Sequence, residues 1–193
     1  MTQAEQPQIY LLTPEIVDHA FAGTLARVLD AVPVACVRLD ISTRDAAKRA
    51  QAADALREVC HARDVAIVIA GPPEEAQTWG LDGVHLGPGA SVRAARKMLG
   101  PDAIVGAYAG ASRHDGLNAG EAGADYVAFD AAETETFAWW SEMIELPVVA
   151  EGALDAERLA SLAPVTEFFA IGDEVWAAED PVAALQEIGA ALG

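Results

Sequence analysis

Basic residues are scarce in this sequence of 193 residues. It has 12 lysines and arginines against 30 aspartates and glutamates, which gives a formal net charge of −18 at pH 7. Nucleic acids and anionic membrane surfaces are bound by neutralising their phosphates with lysine and arginine. We therefore expect neither nucleic acid nor membrane as a partner. The acidity itself is sufficiently explained by the need to keep an apolar, alanine-rich chain in solution.

The sequence also lacks a cysteine framework and long apolar runs. Its two cysteines, Cys36 and Cys60, have the spacing of neither a disulfide scaffold nor a zinc site. No apolar run approaches the roughly 20 residues that span a bilayer, and the polar N-terminus has no basic region followed by an apolar stretch. We expect a cytoplasmic protein without a signal peptide, in which both cysteines are small core residues.

Short apolar segments alternate with longer amphipathic segments from one end of the chain to the other. The apolar segments are rich in valine and isoleucine, as expected of strands covered on both faces. The predicted strands are 9–13, 34–40, 65–70, 83–86, 103–108, 125–130, 147–151 and 167–172. The predicted helices are 15–30, 43–62, 73–79, 91–99, 112–121, 133–144, 155–161 and 180–191.

Residues at the segment boundaries support these helices. Pro14 suits the first turn of the first helix, and Gly100 suits the end of the fourth. Serine and aspartate are favoured at N-caps because their side chains accept a hydrogen bond from a free backbone N–H group. The predicted N-caps are Ser42, Ser91 and Asp155.

Strict alternation of eight strands and eight helices predicts parallel strands, because each crossover needs a helix. We therefore predict an α/β fold, a single parallel (β/α)8 barrel of the TIM type and of minimal size, with residues 1–193 as one domain. An open doubly wound sheet is the alternative. It would normally show a glycine-rich turn after its first strand, and residues 12–15 contain no glycine.

Binding and catalytic residues of such barrels lie at the carboxyl ends of the strands and in the loops that follow. The candidates at these positions are Arg38, Asp40, His85, Tyr108, Asp130, Glu151, Gly152, Gly172 and Asp173. Their four carboxylates either converge on one cation site or are solvated separately. Arg38 is either a structural ion-pair partner of Asp40 or Asp130, or a clamp for a carboxylate or a single phosphate.

Two further candidates allow both a structural and a functional interpretation. His85 lies in the middle of an apolar strand, where it is either a hydrogen-bonded core residue or a base. Tyr108 either stacks on or hydrogen-bonds to a small-molecule ligand, or fills the barrel mouth. Adjacent Trp139 and Trp140 cannot both face the core from one helix, so one of them is a candidate subunit contact in a homo-oligomer.

Several short motifs resemble the thiamine phosphate synthase family. They are GVHLG at 83–87, GADYV at 123–127, PVVA at 147–150 and EDP at 179–181, and the similarity extends from YLLT at 10–13 across most of the chain. The resemblance implies a transferase that joins an aminopyrimidine diphosphate to a thiazole phosphate and releases pyrophosphate with the help of Mg²⁺. A sister group, the thiazole tautomerases, moves a proton on the same barrel instead.

The sequence departs from the family pattern where the family binds metal and diphosphate. After the second strand, Asp40 stands at the position of the family's arginine and Ser42 at that of its lysine, while Arg38 keeps a cation. The positions of the metal ligands are 70–71 and 90, which contain only alanine and glycine. Mg²⁺ prefers oxygen ligands, usually with one or two carboxylates. We therefore expect that this chain has lost the magnesium site and uses no cofactor.

The phosphate-binding positions after the last three strands differ as well. Residues 130–135 contain no lysine, residues 151–153 replace a double glycine with Glu151-Gly152-Ala153, and Asp173 replaces a serine. The tautomerase histidine has no counterpart in 108–110. Like charges about 4 Å apart repel by ~1 kcal/mol in water and ~4 kcal/mol at the effective dielectric constant of a protein surface.

From this repulsion we expect a barrel without synthase activity, which binds a small ligand or acts in regulation. The alternative is an enzyme of thiamine or related metabolism, the synthase reaction included, that uses a rebuilt acidic mouth. Whether the chain is an enzyme therefore stays open from the sequence, and no single catalytic residue is assigned.

Overall fold

Eight parallel strands form a closed barrel in the computed structural model, which describes residues 6–18 and 20–192. Each strand pairs with the next one in the chain, and β8 pairs with β1. The strands are β1 Gln8–Leu12, β2 Cys36–Leu39, β3 Ala66–Ala70, β4 Gly83–Leu86, β5 Ile104–Gly110, β6 Tyr126–Asp130, β7 Val148–Glu151 and β8 Phe168–Ile171. The predicted single (β/α)8 barrel is confirmed.

The helices lie outside the barrel and cover it. They are α1 Phe21–Ala31, α2 Ala46–His61, α3 Pro73–Trp79, α4 Val92–Leu99, α5 Arg113–Glu121, α6 Thr134–Met143, α7 Ala156–Leu162, α8 Asp173–Trp176 and α9 Pro181–Leu192. The sequence did not predict the short α8, which follows β8 directly. None of the helices in the described ranges has both the length and the apolar character needed to cross a bilayer.

Helix α1 begins later than predicted. Its predicted range of 15–30 started next to Pro14, but the helix begins at Phe21. The carboxylate of Asp18 accepts hydrogen bonds from the N–H groups of Ala20 and Phe21, each at 2.9 Å. An aspartate that binds these N–H groups defines the helix start more strongly than a proline several residues earlier. His19, which the predicted helix included, lies outside the described residues, as do residues 1–5 of the N-terminal segment.

The predicted helix caps are confirmed with one exception. The side chains of Ser91 and Asp155 accept hydrogen bonds at the starts of α4 and α7, and Gly100 ends α4 with a φ of 88°. Ser42 is not the N-cap of α2. That position belongs to Asp45, whose carboxylate accepts from the N–H groups at 47 and 48.

Most of the apolar core lies between the barrel and the helices, and a smaller cluster fills the barrel itself. The inner cluster is Tyr10, Cys36, Val68, Tyr126, Ala128, Val149 and Ala170. One glycine shapes this cluster. A Cβ atom at Gly106 would lie 2.0 Å from Cζ of Tyr126, so only a glycine lets the tyrosine ring lie across β5.

Acidic side chains bridge neighbouring strands at the amino end of the barrel. Immediately before β4, β6 and β8, a carboxylate accepts a hydrogen bond from a backbone N–H group near the start of the preceding strand. The pairs are Asp82 with Ile67 at 2.8 Å, Asp125 with Val105 at 2.7 Å, and Glu167 with Val148 at 2.8 Å. These three acids therefore stabilise the barrel at the end opposite to the mouth, where they have no access to a ligand bound there.

The two adjacent tryptophans of α6 take different environments. Trp140 is buried, and its indole N–H donates to the carbonyl oxygen of Leu146. Trp139 is partly buried, and the guanidinium of Arg113 lies 5.2 Å from its ring centroid. This cation–π contact covers part of Trp139 within the chain itself.

Candidate active site at the barrel mouth

The guanidinium of Arg38 lies between two carboxylates at the carboxyl end of the barrel. Arg38 is only 4% exposed. Its Nε and Nη2 donate to the two oxygens of Asp40, both at 2.7 Å. Its Nη2 and Nη1 donate to Oε1 and Oε2 of Glu151 at 2.7 and 2.8 Å. These three residues, which we call the Arg38 triad, connect β2 with β7.

The triad determines the charge state of Arg38. Burial alone would lower the pKa of its guanidinium, but the hydrogen bonds that Arg38 donates to Glu151 and Asp40 outweigh that effect and raise the pKa. Arg38 is therefore permanently charged and commits four of its five N–H groups. The sequence suggested Asp40 or Asp130 as the ion-pair partner of Arg38. The structure shows that Arg38 binds Asp40 and, as its second acid, Glu151 instead of Asp130.

Asp130 and Tyr108 lie next to the triad. Asp130 is paired in register with Glu151 on the adjacent strand, and its Oδ1 accepts from the N–H group of Ala132 at 2.9 Å. Tyr108 is half-buried at the end of β5. Its pKa is raised by burial and by the charges of Asp130 and Glu151, against the opposing effect of Arg38. The Tyr108 hydroxyl therefore stays protonated near two carboxylates.

The loops after β7 and β8 supply the remaining candidates. Gly152 has a φ of 121°, and a Cβ at this position would lie 3.5 Å from Oδ1 of Asp130. The N–H group of Gly172 donates to Oε2 of Glu174 at 3.0 Å. This backbone donor after β8 therefore already has a hydrogen-bond acceptor within the chain. Asp173 is exposed at the start of α8.

Several of these acids line one cleft of about 370 Å³. The carboxylates along it are Glu15, Asp40, Glu151, Asp173 and Glu174. The structure thus brings together three of the four acids chosen from the sequence, while Asp130 lies beside the cleft. Glu15 and Glu174 were missed. Glu15 lies in the loop after β1, and Glu174 lies in α8, which follows β8 directly; such positions after a strand end are the sequence signal that could have identified them.

A chain of hydrogen bonds runs through the barrel below the triad. The hydroxyl groups of Tyr10 and Tyr126 are 2.5 Å apart, and the Tyr126 hydroxyl lies 2.9 Å from Nδ1 of His85. The other ring nitrogen, Nε2, lies 3.9 Å from Oε2 of Glu151. Burial and the nearby charge of Arg38 lower the pKa of His85 well below 6.5, so its ring is neutral. The two tyrosines were not among the candidates, because a tyrosine of an apolar strand that lies away from the carboxyl end gives no functional signal.

A groove of about 530 Å³ lies beside the mouth, between the β4–α4 loop and α5. Its lining includes the glycine turn at Gly87 and Gly89, the ring of Tyr108 and the side chain of Arg93. Arg93 is exposed and has no carboxylate within ion-pair distance in the part of the chain that the structure describes. The lining also includes one acid, Asp115, against the five of the neighbouring cleft, so the groove is less acidic than that cleft.

The residues at the mouth do not fit the Mg²⁺ ion that the family resemblance implies. Residues 70–71 and 90 provide no carboxylate, and Asp40 and Glu151 already bind Arg38. Across residues 6–18 and 20–192, no group of three or more His, Cys, Asp or Glu side chains is arranged to hold a metal ion. We therefore assign no step of the chemistry to Mg²⁺.

The closed parallel barrel defines the chain as a (β/α)8 barrel, a class of protein whose binding and catalytic residues lie at the carboxyl ends of the strands. Within this class, the chain belongs to the thiamine monophosphate synthase family, whose sequence model matches residues 9–171. The inner tyrosines, His85 and the whole triad fall inside the matched region.

Individual relatives agree with this assignment. The chain is 41% identical to the thiamine-phosphate synthase of Rhodospirillum centenum over 88% of its own length and 89% of that protein. It is 36% identical to the thiamine-phosphate synthase of Hyphomonas neptunium, covering 98% and 97% of the two chains. The thiamine phosphate pyrophosphorylase of Pyrococcus furiosus superposes with a TM-score of 0.84 at 20% identity over 98% of this chain and 96% of that one, which supports the fold.

These relatives contradict the expectation of a barrel without synthase activity. Relatives at 35–41% identity over most of the chain are named as synthases, and nothing in the comparisons singles out an inactive group. The expectation was wrong because it considered only the repulsion between the mouth carboxylates and phosphate. The structure shows that Arg38 partly neutralises those carboxylates, and that a less acidic groove lies beside them.

Proposed function

We propose that this protein is an enzyme of thiamine phosphate synthesis, which joins an aminopyrimidine diphosphate to a thiazole phosphate. The observation that carries the proposal is the 41% identity to a thiamine-phosphate synthase over nearly the whole length of both chains. In the transfer, the bond between the aminopyrimidine and its diphosphate breaks, and pyrophosphate leaves with the bonding electrons. The thiazole ring nitrogen supplies the electron pair for the new bond.

An acidic mouth suits the cationic species of this reaction. Loss of pyrophosphate leaves positive charge on the aminopyrimidine fragment, and alkylation of the thiazole nitrogen gives a cationic ring. The Arg38 triad has two carboxylates and one guanidinium, a net charge of −1. Fixed charges that oppose the charge developing in a transition state stabilise it without reorganisation. Asp40 and Glu151 therefore favour the step that releases pyrophosphate.

The phosphate ends of the substrates bind away from these carboxylates, in the groove beside the mouth. Arg93 provides an exposed cation there, and the turn at Gly87 and Gly89 offers backbone that a phosphate can approach closely. Tyr108 lines the same groove and is close enough to Asp130 and Glu151 for their charges to raise its pKa. One substrate can therefore have its phosphates in the groove and its ring at the triad.

The decisive experiment is a turnover assay of the full chain with both substrates, with added Mg²⁺ and with a chelator. Formation of thiamine phosphate and pyrophosphate in equal amounts, at a rate on the order of 1 s⁻¹, is expected. We expect substantial activity to persist in the chelator, because residues 70–71 and 90 offer no carboxylate and because Asp40 and Glu151 already bind Arg38. Absence of product from folded protein in both conditions would refute the synthase assignment.

Two matched variants test where the phosphates bind. Arg93→Gln should raise KM for the diphosphate substrate about tenfold, because a charged hydrogen-bond partner of the phosphate is lost. Arg27→Gln removes an exposed charge from α1, on another part of the surface, and should leave KM unchanged. Equal effects of the two variants would contradict a phosphate site in the groove.

The cellular location of the protein and the kind of partner it has are also part of the proposal. A cytoplasmic enzyme acting on small molecules, without nucleic acid or membrane as partner, accords with the charge of −18. The two cysteines are free and buried, as in proteins of a reducing compartment. Fractionation of cells that express the protein, followed by detection in the cytosolic and membrane fractions, tests this setting.

A further inference from the structure

His85, Gly106 and Tyr126 occupy matching positions on three adjacent strands. His85 of β4 is in register with Gly106 of β5, which is in register with Tyr126 of β6. Because Gly106 has no side chain, the ring of Tyr126 lies across β5 and stacks beside His85, with ring centroids 5.7 Å apart and planes inclined by 19°. This arrangement brings the Tyr126 hydroxyl to Nδ1 of His85.

The hydrogen-bond chain allows one assignment of protons in which both tyrosine hydroxyls have an acceptor. Tyr10 donates to the oxygen of Tyr126, and Tyr126 donates to Nδ1 of His85. In the reverse direction the Tyr10 proton would have no acceptor, since its hydroxyl has no other partner among the described residues. A neutral histidine that accepts at Nδ1 carries its proton on Nε2. His85 is thus assigned the Nε2–H tautomer.

Nε2 of His85 has no hydrogen-bond partner among the described residues. His85 is 4% exposed, and Oε2 of Glu151 lies 3.9 Å from Nε2, beyond hydrogen-bond distance. No fully buried side-chain nitrogen or oxygen in the described ranges lacks a partner, so Nε2 keeps a small contact with solvent. A donor and a carboxylate acceptor therefore stand side by side, and the acceptor lines the cleft at the mouth.

We propose that His85 and Glu151 form a donor–acceptor pair that recognises the amino edge of the aminopyrimidine, and that Tyr126 is the positioning residue for this pair. The Nε2–H group donates to a ring nitrogen, and the Glu151 carboxylate accepts from the adjacent amino group. Glu151 retains capacity for this bond, because each carboxylate oxygen can accept two hydrogen bonds and each accepts one from Arg38. The identity of the ligand rests on the proposed function.

Direct binding of small pyrimidines tests the pair independently of turnover. The probes are 4-aminopyrimidine, 4-pyrimidinone and unsubstituted pyrimidine, titrated into the full chain and followed by NMR. In the aminopyrimidine a ring acceptor stands next to an amino donor, whereas the pyrimidinone presents the reverse order. We expect 4-aminopyrimidine to bind about tenfold more tightly than either analogue, because each analogue leaves a polar group of the site unpaired. Equal affinity for the three probes would overturn the proposal.

Tyr126→Phe and Tyr10→Phe form a matched pair of variants, each lacking one hydroxyl of the same chain. Tyr126→Phe removes the proton donor to Nδ1, so both neutral tautomers of His85 become accessible and 4-aminopyrimidine should bind about three- to tenfold more weakly. Tyr10→Phe retains the Tyr126–His85 bond and should change the affinity less than about twofold. Equal losses in the two variants would mean that Tyr126 has only a structural role.

The histidine tautomer provides a readout that a structural role would not change. Long-range ¹H–¹⁵N NMR should show His85 of the unmodified protein as the Nε2–H form, and a mixture of tautomers in Tyr126→Phe. A His85 that is in the Nδ1–H form in the unmodified protein would overturn the proposal even if the variant fails to fold. Selective binding of 4-aminopyrimidine without turnover would refute the synthase function but support the His85–Glu151 pair. Turnover without selective binding would support the synthase function but refute the pair.

Discussion

Arg38 and Glu151 are joined by two hydrogen bonds, Nη2 to Oε1 at 2.7 Å and Nη1 to Oε2 at 2.8 Å. The two residues belong to β2 and β7, which are not neighbours in the sheet. The planar guanidinium matches the carboxylate in this bidentate geometry, which gives direction as well as energy. This contact across the mouth determines which groups at the mouth remain available to a ligand.

Glu151 should contribute to stability, whereas Asp173 should not. Glu151→Gln removes the charge that faces a buried guanidinium, and we expect it to lower the free energy of unfolding by about 1–3 kcal/mol. The expected loss is moderate because the Glu151 side chain keeps 20% exposure to water. Asp173→Asn, the control, changes an exposed carboxylate and should alter stability by less than about 0.5 kcal/mol. Urea denaturation of both variants gives the comparison, and an unchanged Glu151→Gln would contradict it.

The buried His85 should make stability depend on pH in a defined direction. Its pKa is lowered in the folded protein by burial and by Arg38, relative to 6.5 in the unfolded chain. Below about pH 6.5 the unfolded chain therefore binds more protons, and the free energy of unfolding falls as the pH falls, by up to ~1.4 kcal/mol per pH unit.

Above pH 6.5 this contribution of His85 is complete and stays constant. The measurement is urea denaturation between about pH 5 and 7 for the unmodified protein and for His85→Gln, which has no titrating group at this position. We expect the unmodified protein to lose stability more steeply towards acid. Parallel curves would show that His85 titrates normally in the folded protein.

Gly106 should not tolerate a side chain. A Cβ at this position would lie 2.0 to 2.5 Å from three atoms of the Tyr126 side chain, whose ring is itself packed against Tyr10 and His85. We expect Gly106→Ala to lower the free energy of unfolding by about 1–3 kcal/mol, because a close-packed core cannot absorb the added atom.

Gly23→Ala is the matched control for this substitution. Gly23 lies in α1 and has no atom within 4 Å of a Cβ added there. Alanine favours a helix interior over glycine, so this variant should be more stable by about 0.5–1 kcal/mol. Thermal denaturation of both variants should give shifts of opposite sign, and a stabilised Gly106→Ala would show that the Tyr126 ring has space to move.

Both cysteines should be unreactive in the folded protein. Burial raises the pKa of Cys60 to about 12, with a further contribution from Asp82, and burial also raises the pKa of Cys36. The thiolate is the reactive form, so alkylation at about pH 8 should be negligible. Mass spectrometry after treatment with iodoacetamide should find no modified cysteine in the native protein and two in the denatured protein. Rapid labelling of either thiol before unfolding would contradict the burial.

The pattern of strands and helices could be read from the sequence because it depends on local properties. Apolar segments of valine and isoleucine and single-residue signals such as Ser91, Asp155 and Gly100 led to eight strands and to correct helix ends. The start of α1 was misplaced because Asp18 competes with Pro14 for that role. Such a competition depends on where a carboxylate points, and a sequence pattern does not contain that direction.

The sequence also located the mouth, because the end of each strand in a parallel barrel faces the same opening. It could not pair the side chains found there. Arg38 and Glu151 are 113 positions apart in the chain, and their partnership follows from barrel closure and from the guanidinium geometry. Without that pairing, the carboxylates were interpreted as an obstacle to phosphate and the synthase reaction was rejected.

Alternation of apolar segments and the residues at strand ends therefore determined the barrel and the location of its mouth from the sequence alone. Only the tertiary structure decided the charge and the hydrogen bonds within that mouth. The reason is that hydrophobic periodicity is a local property of the chain. The pairing of Arg38 with two acids, and of His85 with Tyr126 across a glycine, depends instead on distances of a few ångströms between strands. Only the closed barrel brings those strands together.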